Sequence, residues 1–143
     1  MPSGTFDRRR PVGASGLAVA LLLLTGSVGA QDGVPKQVHL VVDGTRLVAS
    51  NIRQSRFDEL KLNAGERIVE SSVGDAAIIV TTNRRILGYG AVSGWRIIDR
   101  IANEKIQTIS ADDYAGLVVT NQRFLNFNGQ TGVWAEHDRM VER

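Results

Sequence analysis

Glu66 to Tyr89 reads ERIVESSVGDAAIIVTTNRRILGY, and Glu104 to Phe127 reads EKIQTISADDYAGLVVTNQRFLNF. The two stretches align without a gap at a spacing of 38 residues and agree at ten of 24 positions. Matched pairs are Glu66/Glu104, Ile68/Ile106, Ser72/Ser110, Asp75/Asp113, Ala77/Ala115, Val80/Val118, Thr82/Thr120, Asn83/Asn121, Arg85/Arg123 and Leu87/Leu125. A fixed period of this size marks a chain that uses one supersecondary unit several times. Architecture is therefore more legible here than chemistry.

Each unit reads as a run of short strands. In the second unit Ile68 to Val73 alternates loosely, and Gly74-Asp75 turns the chain. Ala77 to Thr82 is continuously apolar or β-branched, Asn83-Arg84 turns it again, and Arg85 to Gly90 follows. A glycine-containing loop then leads to Trp95 to Asp99. Two-residue turns of the Asp-Gly or Asn-X kind between apolar runs are hairpin signals. Asp99 to Lys105 is the one short helical candidate, and no window carries a sustained 3.6-residue apolar stripe. The expected class is all-β: three antiparallel repeat units, about 38–62, 66–100 and 104–139, each of about four short strands.

The first unit is degenerate. Val38 to Val42 stands where Ala77 to Thr81 and Ala115 to Val119 stand, and Asp43-Gly44 takes the place of Asn83-Arg84. Phe57 falls where Trp95 and Trp134 fall. Gly33 to Gln37 (GVPKQ) is a poor opening strand for this unit. The middle runs AAIIVTT and AGLVVTN are apolar at successive positions, which implies burial on both strand faces. A strand in a sheet stacked between two others meets that condition, as in propeller blades. A β-trefoil, also three-fold repetitive, and then a pleckstrin-like domain are the alternatives.

The central pattern D-x-A-x-x-V-x-T-N-x-R-x-L, with Trp opening the last strand, resembles the blades of bacterial exported β-propeller-like repeat proteins of unknown function. The resemblance covers Gln37 to Arg139. It implies a propeller-like repeat fold and carries no activity with it. Propellers usually close with at least about four blades, so three units leave either an open arc or a homo-oligomeric ring.

Residues 1–30 read as a signal peptide. Arg8, Arg9 and Arg10 form a positive start, Leu17 to Leu24 an apolar stretch, and Val28-Gly29-Ala30 a small-residue cleavage site. The stretch is shorter than the ~20 residues of a membrane span. Cleavage near Ala30 leaves residues 31–143 as a single all-β repeat domain, periplasmic or secreted from a bacterium by the general or twin-arginine route. The chain has no cysteine, so no disulfide supports the exported fold and no lipid-modified cysteine is available. Of 17 basic and 15 acidic residues, three basic and one acidic lie within residues 1–30, and the remainder balance. No basic tract survives to suggest a nucleic-acid partner.

Chemistry is sparse. His39 and His137 sit at non-equivalent repeat positions without metal-ligand spacing, so no metal site is expected. G-x-S-x-G and helix-opening glycine loops are absent, and no cofactor is implied. Repeated Asp75/Asp113, Asp99/Asp138, Arg85/Arg123 and Arg100/Arg139 are expected to satisfy turns and ion pairs. Phe57, Trp95 and Trp134 are expected to pack between units.

The loops Ser50 to Gln54, Ala91 to Gly94 and Asn128 to Gly132 differ between units while their flanking strands match. Their polar groups, Asn51, Arg53, Gln54, Ser93, Asn128, Gln130 and Thr131, form the candidate partner-binding face. The expected function is a non-catalytic binding or scaffold module of the cell envelope, engaging a protein or glycan. The alternative is an envelope hydrolase acting on polysaccharide through paired carboxylates.

Overall fold

In a computed structural model, residues 33–140 are described. The expected signal peptide, its cleavage site and Gln31 lie outside the described residues.

The turn residues divide the described residues into eleven antiparallel strands and no helix. They are β1 (Val38–Asp43), β2 (Arg46–Asn51), β3 (Arg56–Lys61), β4 (Ile68–Val73), β5 (Ala77–Thr82), β6 (Arg85–Gly90) and β7 (Gly94–Asp99). The last repeat supplies β8 (Ile106–Asp112), β9 (Ala115–Thr120), β10 (Arg123–Asn128) and β11 (Val133–Asp138). Sheet 1 runs β1-β2-β3, sheet 2 β4-β5-β6-β7 and sheet 3 β8-β9-β10-β11, each an open meander. No ladder joins one sheet to another among the described residues, so neither a trefoil barrel nor a lone pleckstrin-like domain forms. Sheet 1 has three strands, because GVPKQ pairs with no neighbour as an opening strand.

Sheet 2 lies between the other two. Strands point successive side chains to opposite faces, and every residue of β5 is buried. Ile78 and Val80 pack with Val38, Leu47, Ala49 and Leu60 of sheet 1. Ile79 and Ile86 pack with Val118, Leu125 and Phe127 of sheet 3. In the flanking sheets the equivalent strands are covered on one side at most: β9 alternates exposed and buried over its first four residues, and β1 buries only Val38. The sheets approach closely at glycines. A Cβ on Gly116 would strike Ile79, and one on Gly88 would come 2.9 Å from both Phe127 and Trp134.

The identical residue pairs build the same corner twice. Arg85 grips Glu66 bidentately, Nε to Oε2 at 2.9 Å and Nη2 to Oε1 at 2.7 Å, and extends Nη2 to the Lys61 carbonyl. Arg123 grips Glu104 at 2.7 and 3.0 Å and reaches the Asp99 carbonyl. Thr82 and Thr120 accept the N–H groups of the two residues that follow the next position, closing their turns. Asn83 and Asn121 accept the Arg67 and Lys105 N–H groups at 2.8 and 2.7 Å. Burial opposes ionisation of Glu66, but Arg85, Thr82 and the Asn63 N–H outweigh it and hold the carboxyl down at about 2. The matched sequence is largely this corner.

Three expectations need correction. The first turn sits at Gly44-Thr45, one residue later than Asp43-Gly44, because Asp43 still pairs with Arg46. Asp99 to Lys105 is not helical: β7 continues to Asp99, and Glu104 N–H closes a turn on the Ile101 carbonyl at 3.1 Å. Phe57 does hold the register position of Trp95 and Trp134 but is 70% exposed, because no described sheet covers that face of sheet 1. The loose alternation of Ile68 to Val73 has a cause as well: a register shift between Ile68 and Glu70, repeated between Ile106 and Thr108.

Candidate functional site

The loops that follow β2, β6 and β10 run beside one another along one edge of the stack. Equivalent backbone bonds fix them: Ile52 N–H to Gln37 O, Ala91 N–H to Ala76 O and Gly129 N–H to Tyr114 O, at 2.8, 3.0 and 2.7 Å. Side chains then tie each loop to the next. Asn51 Nδ2 donates to the Ala91 carbonyl at 2.9 Å, and Ser93 Oγ to the Gly129 carbonyl at 2.8 Å. Repetition of the scaffold therefore brings three dissimilar loops into one row.

The seven sequence-derived residues divide into two groups along this row. Asn51 is buried, and its amide also donates to Tyr89 Oη at 2.7 Å while its oxygen accepts the Gln54 N–H. It closes β2 with its side chain toward sheet 2. Ser93 is half-buried, joining loops as described. Asn128 is exposed, and its oxygen caps the Gln130 and Thr131 N–H groups at 2.9 and 3.2 Å. Arg53, Gln54, Gln130 and Thr131 are exposed at the loop tips.

A depression of about 310 Å³ opens beside the third loop, lined by Val34, Asp113, Tyr114, Ala115, Asn126, Phe127, Asn128 and Gln130. It offers an aromatic hydroxyl, three amides and a carboxylate around an apolar floor. At the same edge the carboxylates of Asp75, Asp112 and Asp113 lie within 4.8 Å of one another, the latter two exposed. Exposed acidic groups of this kind are the donor set a hard cation uses when more oxygen ligands join them. Asp75 and Asp113 belong to separate turns in the sequence, and they converge only because the sheets stack. In both residues the backbone carbonyl carries the link between sheets, Gln37 N–H to Asp75 O at 2.6 Å and Ala76 N–H to Asp113 O at 2.8 Å.

A polar cluster missed in the sequence lies between sheets 1 and 2. Tyr89, fully buried, donates its hydroxyl to Asp58 Oδ2 at 2.6 Å, and Arg56 pairs with Asp58 Oδ1 at 3.0 Å. Burial, with the neighbouring Asp58 carboxylate, pushes the Tyr89 pKa up, so the hydroxyl stays a donor. Trp95 lies tilted against Tyr89, with ring centroids 5.0 Å apart and planes at 59°, and donates Nε1 to the Asp58 carbonyl at 3.1 Å. Every described member has a partner, as a structural network between sheets requires.

The histidines stand apart. His39 is exposed on sheet 1, and His137 stacks on Phe124 of sheet 3 with centroids 6.3 Å apart. Among the described residues neither belongs to a group of metal-ligating side chains. In comparisons with known proteins, the sequence matches no protein-family model and no curated protein.

Proposed function

We propose that this chain is a non-catalytic binding or scaffold module of the bacterial cell envelope, built from propeller-like blades and engaging a protein or glycan through its loop edge. One observation carries this reading: three loops of unlike sequence are held in a row by equivalent backbone bonds, with Arg53, Gln54, Gln130 and Thr131 exposed at their tips. A rigid scaffold that presents variable polar loops is the usual arrangement of a recognition surface. The amides and hydroxyls of that row suit a wet contact of moderate affinity. The charged, apolar and small-residue pattern of residues 1–30 supports export. Resemblance to exported propeller-like repeat proteins points the same way.

The test is recovery of partners from envelope extract on immobilised protein, with Arg53, Gln54, Gln130 and Thr131 changed together to Ala. Loss of a specific partner with an unchanged melting temperature is expected. Undiminished recovery would remove the loop edge from consideration. Export is checked separately: protein recovered from the producing cell is expected to begin at Gln31, and an intact Met1 on envelope material would count against it. Polysaccharide hydrolysis is the second reading, favoured by the grouping of Asp75, Asp112 and Asp113 where Asp113 borders the depression. Glycan turnover lost in Asp112→Asn and Asp113→Asn proteins would establish it over the binding role.

A further inference from the structure

Two sheet faces have no sheet against them among the described residues, and they are the two ends of one repeating contact. Ile79 and Ile86 of sheet 2 are fully buried against sheet 3. One repeat later, Leu117 and Phe124 hold the same positions on the outer face of sheet 3 and are 42% and 40% exposed. At the other end the relation reverses. Trp95 packs from sheet 2 onto sheet 1, and Trp134 from sheet 3 onto sheet 2 over Gly88. Phe57 stands at the same position of sheet 1, exposed and with no described sheet to enter.

The seat such an aromatic needs is present on sheet 3. Asn126 is the repeat equivalent of Gly88, which Trp134 covers. A depression of about 130 Å³ opens there, bordered by Leu117, Phe124, Asn126, Ala135 and His137 and mainly apolar. The backbone shows the same interrupted series. Gln37 N–H donates to Asp75 O, joining sheets 1 and 2, and Ala76 N–H donates to Asp113 O, joining sheets 2 and 3. The next donor would be Tyr114 N–H and the preceding acceptor Lys36 C=O. Neither has a backbone partner among the described residues.

We propose that a second copy of this chain occupies these faces head to tail. Sheet 1 of one copy seats on sheet 3 of the other, Phe57 enters the depression at Asn126, and Tyr114 N–H meets the second copy's Lys36 carbonyl. The contact continues one that the chain already makes twice within itself, which is why the occupant is this chain rather than an unrelated protein. Head-to-tail contacts are heterologous and stay finite only if they close. Two copies joined at both ends give six sheets, within the about four to eight blades of closed propellers. That closure rests on the propeller-like reading; the assignment of the two faces does not, and neither depends on what the loops bind.

The experiment uses protein expressed from the full chain and weighed by light scattering after size exclusion over a concentration series. Phe57→Asp and Leu117→Asp each change one exposed end, and circular dichroism verifies that each remains folded. Should either fail to fold, Phe57→Ser and Leu117→Gln replace them. The wild type is expected at twice the chain mass and each variant at one chain mass. An equimolar mixture of the two variants is expected to regain the two-fold mass, since the intact sheet 1 face of one fits the intact sheet 3 face of the other. A wild type that is monomeric at every concentration would overturn the proposal. So would a folded variant of either kind that keeps the two-fold mass.

Discussion

Arg123→Met is the perturbation that most directly tests the repeated corner. Arg123 is 3% exposed and Glu104 5%, and the guanidinium makes two bonds to that carboxylate, one to Glu136 Oε1 at 3.0 Å and one to the Asp99 carbonyl at 2.8 Å. Methionine fills similar space without a charge, so the loss is electrostatic. Glu104 then keeps only local partners such as the Ile101 N–H at 3.0 Å. Leaving one partner of a buried pair alone costs about 3–5 kcal/mol, a large share of the about 5–15 kcal/mol that holds a domain together. Urea unfolding followed by fluorescence of Trp95 and Trp134 reads the loss. Direction with pH follows from the same geometry. In the wild type Arg123 holds the Glu104 carboxyl below its ordinary range against the opposing effect of burial. Without Arg123, burial dominates and the folded-state value rises above the unfolded one, so lowering the pH relieves the variant. The deficit is expected to shrink from pH 7 to pH 4. The double variant Glu104→Gln with Arg123→Met is expected to recover most of it, as a coupled pair requires. A single-variant loss below about 1 kcal/mol at pH 7, or a double variant no better than the single, would refute the corner as the reason these residues repeat.

Three further outcomes are expected. Glu66, held at about 2 against an ordinary 4.5, contributes about 3 kcal/mol that is fully present above pH 5 and is lost as the pH falls toward 2; melting temperatures across that range check it, and Glu66→Gln is expected to flatten the curve. Gly116→Ala sets a Cβ against Ile79 and is expected to cost about 1–3 kcal/mol in chemical denaturation, part of which Ile79→Val restores by making room. Trp95→Ala is expected to cost about 3–5 kcal/mol, while Phe57→Ala, measured on dilute monomer, changes stability by less than about 0.5 kcal/mol; equal losses would show that Phe57 is covered in the isolated chain.

The second and third units were legible because their corner is written in side chains that cannot be exchanged freely. Glu66, Thr82, Asn83 and Arg85 make mutually dependent bonds, so the same four residue types recur at the same spacing in sheet 3. Among the described residues no strand or turn precedes β1 to carry such a glutamate in sheet 1. There Arg46, in the place of Arg85, pairs with exposed Asp43 and Glu59 instead. Asn51 shows what spacing alone conceals. It follows Ser50 and precedes a loop, so it reads as a loop amide, yet strand alternation from Leu47 and Ala49 turns it inward. The cluster of Tyr89, Asp58 and Asn51 was invisible for a related reason: its members come from three strands in two sheets, and only Tyr89 lies within the matched repeat. The grouping of Asp75, Asp112 and Asp113 likewise depends on how the sheets stack.

Position in the repeat predicts which way a side chain points, and the number of neighbouring sheets decides whether it is buried. β5 is buried throughout because sheets lie on both sides, whereas β1 and β9 carry comparable residues and leave Val41, Val42 and Leu117 exposed. An end sheet whose outer face met only water would be free to carry polar residues at those positions. Here the outer faces keep Val41 and Phe57 at one end and Leu117, Phe124 and Val133 at the other. Scattered exposed apolar residues are ordinary, but contiguous ones on a sheet face mark a surface that meets something. The two end faces also differ from each other as the two sides of an internal contact differ, one offering an aromatic and the other a depression. A face meant for copies to meet symmetrically would have to complement itself; these complement each other. The same sheet-on-sheet packing that buries Ile79 within the chain therefore accounts for the residues left at its ends.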